Sequence, residues 1–254
     1  MAPLRELHDR VPSRPLSKLT KHLEQQLAIA ARASEQRYAD HRDRRPWTEV
    51  FAEIEPTAIA AASLAQVHRG RLRDGREVAI KIQYPEVRRL FPIDFGSFRR
   101  AVRVARWLNK SLDFRPIVDE LAHFVLLELQ FTRELHSTVR GRANLAGDPT
   151  VVVPEVFEEL STDQLLVLGF LQGTALSRLD VLRERGVDLR SIATRVANLY
   201  ATMIFSHGFF HGDPHPGNLL VLDDGRLGLL DFGLAKELPT GFSRHAATMI
   251  VAGM

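Results

Sequence analysis

The sequence contains no cysteine, so neither a disulfide framework nor a thiolate metal site is possible. It also has no apolar run near the ~20 residues that a helix needs to cross a bilayer. Residues 1–14 lack the apolar core of a signal peptide. From these absences we expect a chain that is cytoplasmic or peripheral to a membrane.

A large excess of one charge is also missing, because the formal net charge is only +3. Nucleic acid is therefore not required as a partner, and we predict none. Two clusters of arginine are interpreted as solvated faces, with a role in facing phosphate or lipid as the alternative. They are Arg42, Arg44 and Arg45, and Arg99, Arg100, Arg103 and Arg106.

The sequence does contain a loop rich in proline and glycine, His211–Asn218, followed by Asp231-Phe232-Gly233 after a short hairpin. The prolines and glycines exclude helix and strand and favour a loop with fixed side chains. Mg²⁺ prefers carboxylate and amide oxygens. We therefore predict a magnesium–phosphate site in which Asp231 is the main ligand, Asn218 the second, and Asp213 orients or deprotonates the attacking hydroxyl. A purely structural turn is the alternative.

Two strand-like runs flank Asp74-Gly75, a pair that strongly indicates a β-hairpin. In the second run, Glu77–Gln83, a period of two puts apolar residues on one face and Ala79 with Lys81 on the other. Lys81 is placed to meet phosphate, and the small Ala79 leaves room for a flat base. Taken alone, Lys81 would be interpreted as an exposed strand lysine, but the downstream loop favours the phosphate role.

A long helix is predicted over Ile117–Asn144, where apolar residues recur at spacings of three and four. They are Phe124, Leu127, Phe131 and Leu135. Glu128 and Glu134 flank this stripe, and a carboxylate at the edge of a buried surface needs a partner. Lys81 is the predicted partner of Glu134, with two solvated glutamates as the alternative.

The rest of the sequence supplies a frame for this site. The predicted elements are an amphipathic helix over Leu16–Tyr38, two strands over Val151–Leu171 that complete the hairpin's small sheet, helices over 177–185 and 188–206 ending at Gly186 and Gly208, and a hairpin at Asp223–Gly225. A sheet-rich part followed by a helical part, with nucleotide between them, predicts an α+β, two-lobed phosphotransferase.

Four stretches together resemble the atypical kinase-like family variously called ABC1, ADCK or UbiB. They are Ala60–His68, Val78–Lys81, Glu128–Glu134, and His211–Asn218 with Asp231-Phe232-Gly233. The loop alone also resembles sugar, choline and aminoglycoside kinases, whereas the Ala-rich segment and Glu128–Glu134 do not. The combination therefore identifies the chain as a member of this family with a protein-kinase-like fold.

The resemblance implies ATP or ADP and Mg²⁺ as ligands. It implies that Lys81 contacts the α- and β-phosphates and pairs with Glu134, that Asn218 and Asp231 bind the metal, and that Asp213 occupies the position of the catalytic aspartate. A segment that stands in for the Gly-rich loop of ordinary kinases would cover the nucleotide: Ala60, Ala61, Ala62 and Ser63. Because alanine avoids the positive φ angles that glycine adopts, the resemblance implies altered nucleotide handling.

The resemblance also predicts three regions: a helical extension over residues 1–46, a sheet-rich nucleotide-binding lobe with a small antiparallel sheet and long helix over 47–172, and an incomplete helical lobe over 173–254. The family's Lys-x-Gly-Gln motif is absent, and Gln130 replaces an acidic residue. We therefore expect a fragment that lacks the Lys-x-Gly-Gln segment and the end of the helical lobe.

The leading hypothesis is an ATP-binding, Mg²⁺-dependent atypical kinase or ATPase that supports ubiquinone (isoprenoid quinone) biosynthesis. Its expected partners are nucleotide, a lipid or isoprenoid-quinone precursor, and a membrane-associated biosynthetic complex. A catalytically silent nucleotide-binding scaffold is the alternative, which the missing segments favour. A small-molecule phosphotransferase is a further alternative.

Overall fold

The computed structural model describes residues 13–33, 44–108 and 114–242. The chain divides into two compact units. The first unit comprises Met1–Thr132 and Phe157–Gly169, and the second comprises Arg133–Val156 and Phe170–Met254.

The described part of the chain contains both helices and strands. The helices are α1 (Leu16–Ala33), α2 (Val87–Leu108), α3 (Arg115–Glu128), α4 (Phe131–Leu145), α5 (Leu179–Glu184) and α6 (Leu189–Ala201). The strands are β1 (Phe51–Ile54), β2 (Ala60–Ala61), β3 (Ala65–Leu72), β4 (Glu77–Gln83), β5 (Val151–Val152), β6 (Leu165–Gly169), β7 (Gly173–Ala175), β8 (Phe209–Phe210), β9 (Leu219–Leu222), β10 (Leu227–Leu229) and β11 (Lys236–Glu237). In the part of the chain that the structure describes, no helix is both long and apolar enough to cross a membrane.

The first unit is built on an antiparallel sheet of order β1-β3-β4-β6, with β2 paired to β3. The predicted hairpin is confirmed: β3 and β4 pair around Asp74-Gly75, where Gly75 has a φ of 93°. The alternation in β4 is also confirmed, because its apolar residues are fully buried while Ala79 and Lys81 stay partly exposed. Lys81 therefore lies on the face of β4 opposite the core.

The predicted helix over Leu16–Tyr38 is confirmed as α1 up to Ala33, and residues 34–38 lie outside the described part of the structure. Leu19, Leu23 and Leu27 recur at helical spacing and are buried in the core that also contains the apolar face of β4. Helix α1 therefore belongs to the compact first unit, which differs from the separate extension expected over residues 1–46.

The single long helix predicted over Ile117–Asn144 is wrong, because α3 ends at Glu128 and α4 begins at Phe131. The amide of Phe131 donates to the Asp163 carbonyl (3.3 Å) instead of to a helical carbonyl. The Leu129 carbonyl accepts from the Gln83 side chain (3.1 Å). Hydrogen bonds to other parts of the first unit thus replace those that would continue the helix.

The two strands predicted over Val151–Leu171 do not complete one sheet. Strand β6 joins the hairpin of the first unit, but β5 pairs in parallel with β10 in the second unit. The second unit contains a sheet of order β5-β10-β9-β7 and a separate pair, β8 with β11. Residues 133–156 therefore belong to the second unit, whereas the expected boundary lay at residue 172.

The helices predicted over 177–185 and 188–206 are confirmed as α5 and α6. Asp188 caps α6 by accepting from the amides of Arg190 (2.9 Å) and Ser191 (3.3 Å). A π-helical segment, Thr202–His207, continues α6 and ends at Gly208, whose φ is 60°. The predicted hairpin at Asp223–Gly225 is confirmed between β9 and β10.

Candidate active site

The loop between β8 and β9 brings two of the predicted site residues together. The side-chain amide of Asn218 donates to Asp213 Oδ2 (2.8 Å), and the amide of His215 donates to Asp213 Oδ1 (3.3 Å). A single 3₁₀ turn, Pro216–Asn218, places Asn218 back beside Asp213, and the His215 ring caps that turn by accepting from the Gly217 amide (3.1 Å). The carboxylate of Asp213 is therefore held in one orientation.

Gly212 allows this loop to lie directly on the chain that follows Asp231. Its φ is 77°, and a Cβ atom built on it would lie 2.0 Å from the Leu234 carbonyl oxygen. Any side chain at position 212 would collide with that backbone. Glycine is thus required for the loop to lie against the backbone of Leu234, directly after the Asp231-Phe232-Gly233 segment.

His211 connects the loop to the segment around Asp231. Its ring is fully buried, its Nε2 hydrogen-bonds the Leu230 carbonyl, and it contacts the Phe232 ring edge-on with centroids 4.9 Å apart. The sequence prediction gave His211 no role of its own, since its chain distance from residue 230 carries no pattern. The structure makes it a tie between the loop and the residue before Asp231.

Asp231 has an unusual backbone conformation. Of the non-glycine residues that the structure describes, it alone has a positive φ, 57°. Aspartate tolerates this left-handed region better than most residues, although at some cost in energy. Its Oδ1 accepts from the amide of Gly233 (3.1 Å), a local bond that favours this conformation. Such strained residues are concentrated at functional sites.

Glu134 of α4 lies close to this same segment. A Cβ atom built on Gly233 would lie 3.0 Å from Asp231 Oδ1 and 3.7 Å from Glu134 Oε2. Glu134 is buried, with only 4% of its surface exposed. The structure therefore brings Glu134 and Asp231 to the same glycine. The predicted pair between Glu134 and Lys81 joins residues of different units and stays a prediction.

Arg133, the neighbour of Glu134, was missed by the sequence prediction. Its guanidinium group donates to the carbonyls of Gly233 (3.1 Å) and Ala235 (3.2 Å). It thereby fixes the chain after Asp231 to α4. The chain separation of one hundred residues leaves no spacing pattern from which this contact could be predicted.

Tyr200 of α6 is a further residue near the loop that the sequence did not indicate. Its hydroxyl is buried and makes no hydrogen bond to the described residues. Burial, with a smaller contribution from the negative charge of Asp213, raises the pKa of Tyr200 to about 12. Tyr200 therefore remains a neutral phenol near Asp213 at physiological pH.

Lys81 and Ala79 lie in the first unit, on the partly exposed face of β4. The Lys81 ammonium is 5.1 Å from the centroid of the Phe131 ring, a distance that allows a cation–π contact. This contact restricts the long lysine side chain. The structure thus places these two predicted nucleotide-binding residues on one face of one strand.

The segment Ala60–Ser63 is partly a strand rather than an open loop. The amides of Ile59 and Ala62 donate to the carbonyls of Val67 (2.8 Å) and Ala65 (2.9 Å). None of the segment's residues has a positive φ. These two amides are therefore engaged with β3 and are not directed toward an anion.

The donor groups of the second unit fit Mg²⁺ chemically. The NH₂ end of Asn218 faces Asp213, which leaves its amide oxygen as the end that can bind a metal, and Asp231 supplies a carboxylate. Within the described residues, no three histidine, aspartate or glutamate side chains cluster to hold a metal ion by themselves. Mg²⁺ itself usually takes one or two protein carboxylates and fills its other positions with phosphate and water oxygens.

Comparison with known proteins places this chain among kinase-like relatives. AarF domain-containing protein kinase 1 of Xenopus laevis is 34% identical over 200 residues, which cover 77% of this chain and 38% of that protein. The chloroplastic protein ACTIVITY OF BC1 COMPLEX KINASE 3 of Arabidopsis thaliana is 30% identical over 242 residues, covering 93% and 31%. The chain therefore spans about a third of the length of these curated relatives.

A solved structure supports the same relationship. The complex of Rv3197 with erythromycin, from Mycobacterium tuberculosis, has a TM-score of 0.68 and 27% identity, covering 93% of this chain and 63% of that one. The predicted α+β, kinase-like fold class is thus confirmed. Because the sequence profile described as "ABC1 atypical kinase-like domain" matches residues 22–254, the chain belongs to the ABC1 atypical kinase-like family.

Proposed function

We propose that this chain binds Mg²⁺–ATP and acts as an atypical kinase or ATPase. The observation that carries the proposal is the arrangement of the second unit. Asp213 and Asn218 are hydrogen-bonded, and the Asn218 carbonyl accepts from the amide of Leu230 (2.8 Å), the residue before Asp231 with its left-handed backbone. Aspartate and asparagine in these roles are the oxygen donors that phosphoryl transfer requires.

Each residue has a separate part in the proposed reaction. Asp231 and Asn218 would hold Mg²⁺, which supplies neutralisation of phosphate charge when it is bound. Lys81 would bind the α- and β-phosphates through its ammonium. Asp213, held by Asn218, would orient a water or an acceptor hydroxyl and accept its proton. His211 and Arg133 would act indirectly, by keeping the segment around Asp231 in place.

A catalytically silent scaffold that binds nucleotide is the second candidate, and one observation favours it. In ordinary kinases a glycine-rich loop covers the phosphates, whereas here the amides of Ile59 and Ala62 already bond to β3. Fewer backbone donors would then be directed at the phosphates, which weakens stabilisation of the charge that develops in transfer. Nucleotide could bind in that case without turnover.

The wider role is proposed from the family. We infer that the phosphate chemistry serves a lipid or isoprenoid-quinone pathway, with ubiquinone biosynthesis as the first case to test and a membrane-associated complex as partner. The solved structure of Rv3197 from Mycobacterium tuberculosis is a complex with erythromycin, a molecule that carries several hydroxyl groups. A hydroxyl acceptor of this kind is the form in which the small-molecule phosphotransferase alternative would be tested.

Direct binding and turnover measurements test the proposal. ATP with MgCl₂ should bind the wild-type chain, and Lys81→Met should weaken binding by about tenfold or more, because a hydrogen bond to a charged group contributes roughly 1.5–3 kcal/mol. Lys18→Met is a matched control, since Lys18 is exposed on α1 in the same unit. Its affinity for ATP should equal that of the wild type.

Phosphate release by the same proteins separates the two candidates. Release that requires Mg²⁺ and is lost in Asp213→Asn supports the kinase or ATPase. Binding without release, in the presence or absence of lipid vesicles and quinone-precursor mimics, supports the scaffold. Absence of nucleotide binding by the wild-type chain contradicts both.

A further inference from the structure

Exposed apolar side chains are concentrated in the hairpin formed by α2 and α3. Of the fifteen large apolar side chains that are exposed among the described residues, nine lie between residues 90 and 126. They are Leu90, Ile93, Phe98, Val104, Trp107, Phe114, Ile117, Leu121 and Leu126. Such a concentration marks a surface that binds something other than water.

The two helices are packed against each other, so this exposure is not a sign of loose helices. Val102 of α2 and Val118 of α3 are buried. Arg99 and Asp119 form an ion pair across the hairpin (2.9 Å). The apolar side chains that remain exposed are those on the outer faces of a formed helical pair.

One face of α2 combines apolar and basic residues. Arg89, Ile93, Arg100, Val104 and Trp107 follow one another at spacings of three, four and seven, which places them on one side of a helix. We call these five residues the α2 stripe. The exposed fraction of its apolar residues is 61% for Ile93, 56% for Val104 and 81% for Trp107.

The charge of α2 is strongly positive. It contains six arginines and one acidic residue: Arg88, Arg89, Arg99, Arg100, Arg103, Arg106 and Asp94. Arg88 is engaged at the base of the hairpin, where it pairs with Asp163 (3.0 Å). Arg89, Arg100 and Arg103 are exposed. The surface beside the apolar stripe therefore attracts anions.

We propose that the α2 stripe docks on an anionic lipid surface, with α2 lying in the plane of the membrane. Arginine attracts lipid phosphate, while an exposed tryptophan and aliphatic side chains enter the boundary between head groups and acyl chains. A purely apolar protein partner would not use the arginines, and a purely acidic one would not use Ile93, Val104 and Trp107. A membrane with anionic head groups uses both. The proposal does not depend on nucleotide binding.

Vesicle sedimentation tests the charge part of this proposal. The wild-type chain should bind vesicles of phosphatidylcholine with phosphatidylglycerol, and bind pure phosphatidylcholine at least tenfold less. Arg89→Glu with Arg100→Glu should reduce binding to the anionic vesicles by tenfold or more, because each arginine near such a surface adds to the attraction and each glutamate opposes it. Arg183→Glu with Arg190→Glu makes the same change of charge on exposed residues of the second unit and should leave binding within about twofold.

Tryptophan fluorescence tests the apolar part. The chain has two tryptophans, Trp47 and Trp107, so Trp47→Phe leaves the stripe residue as the only reporter. Its emission should shift to shorter wavelength on anionic vesicles, and Ile93→Ser should reduce the binding that causes the shift. Equal losses in the stripe variant and its control, or an unshifted emission at saturating lipid, would overturn the proposal. So would a stripe variant that loses self-association while its vesicle binding is unchanged.

Discussion

The ring of Phe232 lies directly against the backbone of Gly141 in α4. A Cβ atom built on Gly141 would lie 2.4 Å from Cε1 of that ring. Phe232 is fully buried, and its neighbour Gly233 is held by Arg133 of the same helix. Helix α4 therefore determines where the Asp231-Phe232-Gly233 segment lies.

Gly141→Ala should destabilise the second unit and disturb the segment around Asp231. The added methyl group has no room, and overpacking of this kind costs about 1–3 kcal/mol. Alanine also has a better helix propensity than glycine by about 1 kcal/mol, which offsets part of that cost. We expect a lower melting temperature by circular dichroism and weaker Mg²⁺-dependent binding of ATP.

Gly96→Ala is the matched control for that substitution. Gly96 lies inside α2, and a Cβ atom built there meets no other atom within 4 Å. Only the propensity term applies, so this variant should be as stable as the wild type or more stable. If Gly141→Ala is as stable as Gly96→Ala, Phe232 can move away from α4 at no cost in free energy. That result would contradict the role assigned to α4.

Arg133→Met should loosen the chain after Asp231 without removing any residue that contacts nucleotide. Two hydrogen bonds from a charged donor are lost, each of which contributes roughly 1.5–3 kcal/mol. Hydrogen exchange should become faster at residues 232–235. Arg142→Met changes an exposed arginine on the same helix and should leave exchange there unchanged. Equal exchange in both variants would contradict the role assigned to Arg133.

Local signals in the sequence were sufficient to predict the β3–β4 hairpin and the loop that ends at Asn218. The Asp74-Gly75 turn and the alternation in β4 depend on neighbouring residues, and both are confirmed. The same holds for the loop ending at Asn218, whose prolines and glycines determine its path. Short-range geometry of this kind is encoded within a few residues.

Contacts between distant residues were not predictable from such signals. The apolar period runs through Leu127, Phe131 and Leu135 without glycine or proline, so nothing in it marks the break between α3 and α4. The break depends on Asp163, which lies in another part of the first unit and whose carbonyl accepts a hydrogen bond from the Phe131 amide. Arg133 and Gly141 were missed for the same reason, because the residues that they contact, Gly233 and Phe232, lie far away in the sequence.

A buried network in the first unit should make its stability depend on pH. Gln66 donates through Nε2 to His68 Nε2 (2.6 Å), and the opposite ring nitrogen bonds the Glu55 carbonyl (2.8 Å), so the ring is held neutral. Burial lowers the pKa of His68 below its ordinary value of 6.5, although its hydrogen bond to Glu55 opposes this. Burial also lowers the pKa of His22.

The lowered pKa values of His68 and His22 determine how the stability changes with pH. Below about pH 6.5 the unfolded chain binds protons that the folded chain does not, so the free energy of unfolding should fall as the pH decreases from 7.5 to 5. Both tryptophans lie in the first unit, and their fluorescence in urea therefore follows this transition. His68→Gln should flatten the dependence, and adding His22→Gln should flatten it further. An unchanged slope in the double variant would contradict the assignment.

The most direct test of the central claim is calorimetric titration of Asp231→Asn with Mg²⁺–ATP. Asparagine tolerates the left-handed backbone of Asp231 and removes only the charge. We predict that the wild type binds in a Mg²⁺-dependent manner, that Asp231→Asn binds at least tenfold more weakly, and that Asp223→Asn, an exposed aspartate of the same unit, binds like the wild type. Wild-type affinity in Asp231→Asn would contradict the proposed metal site.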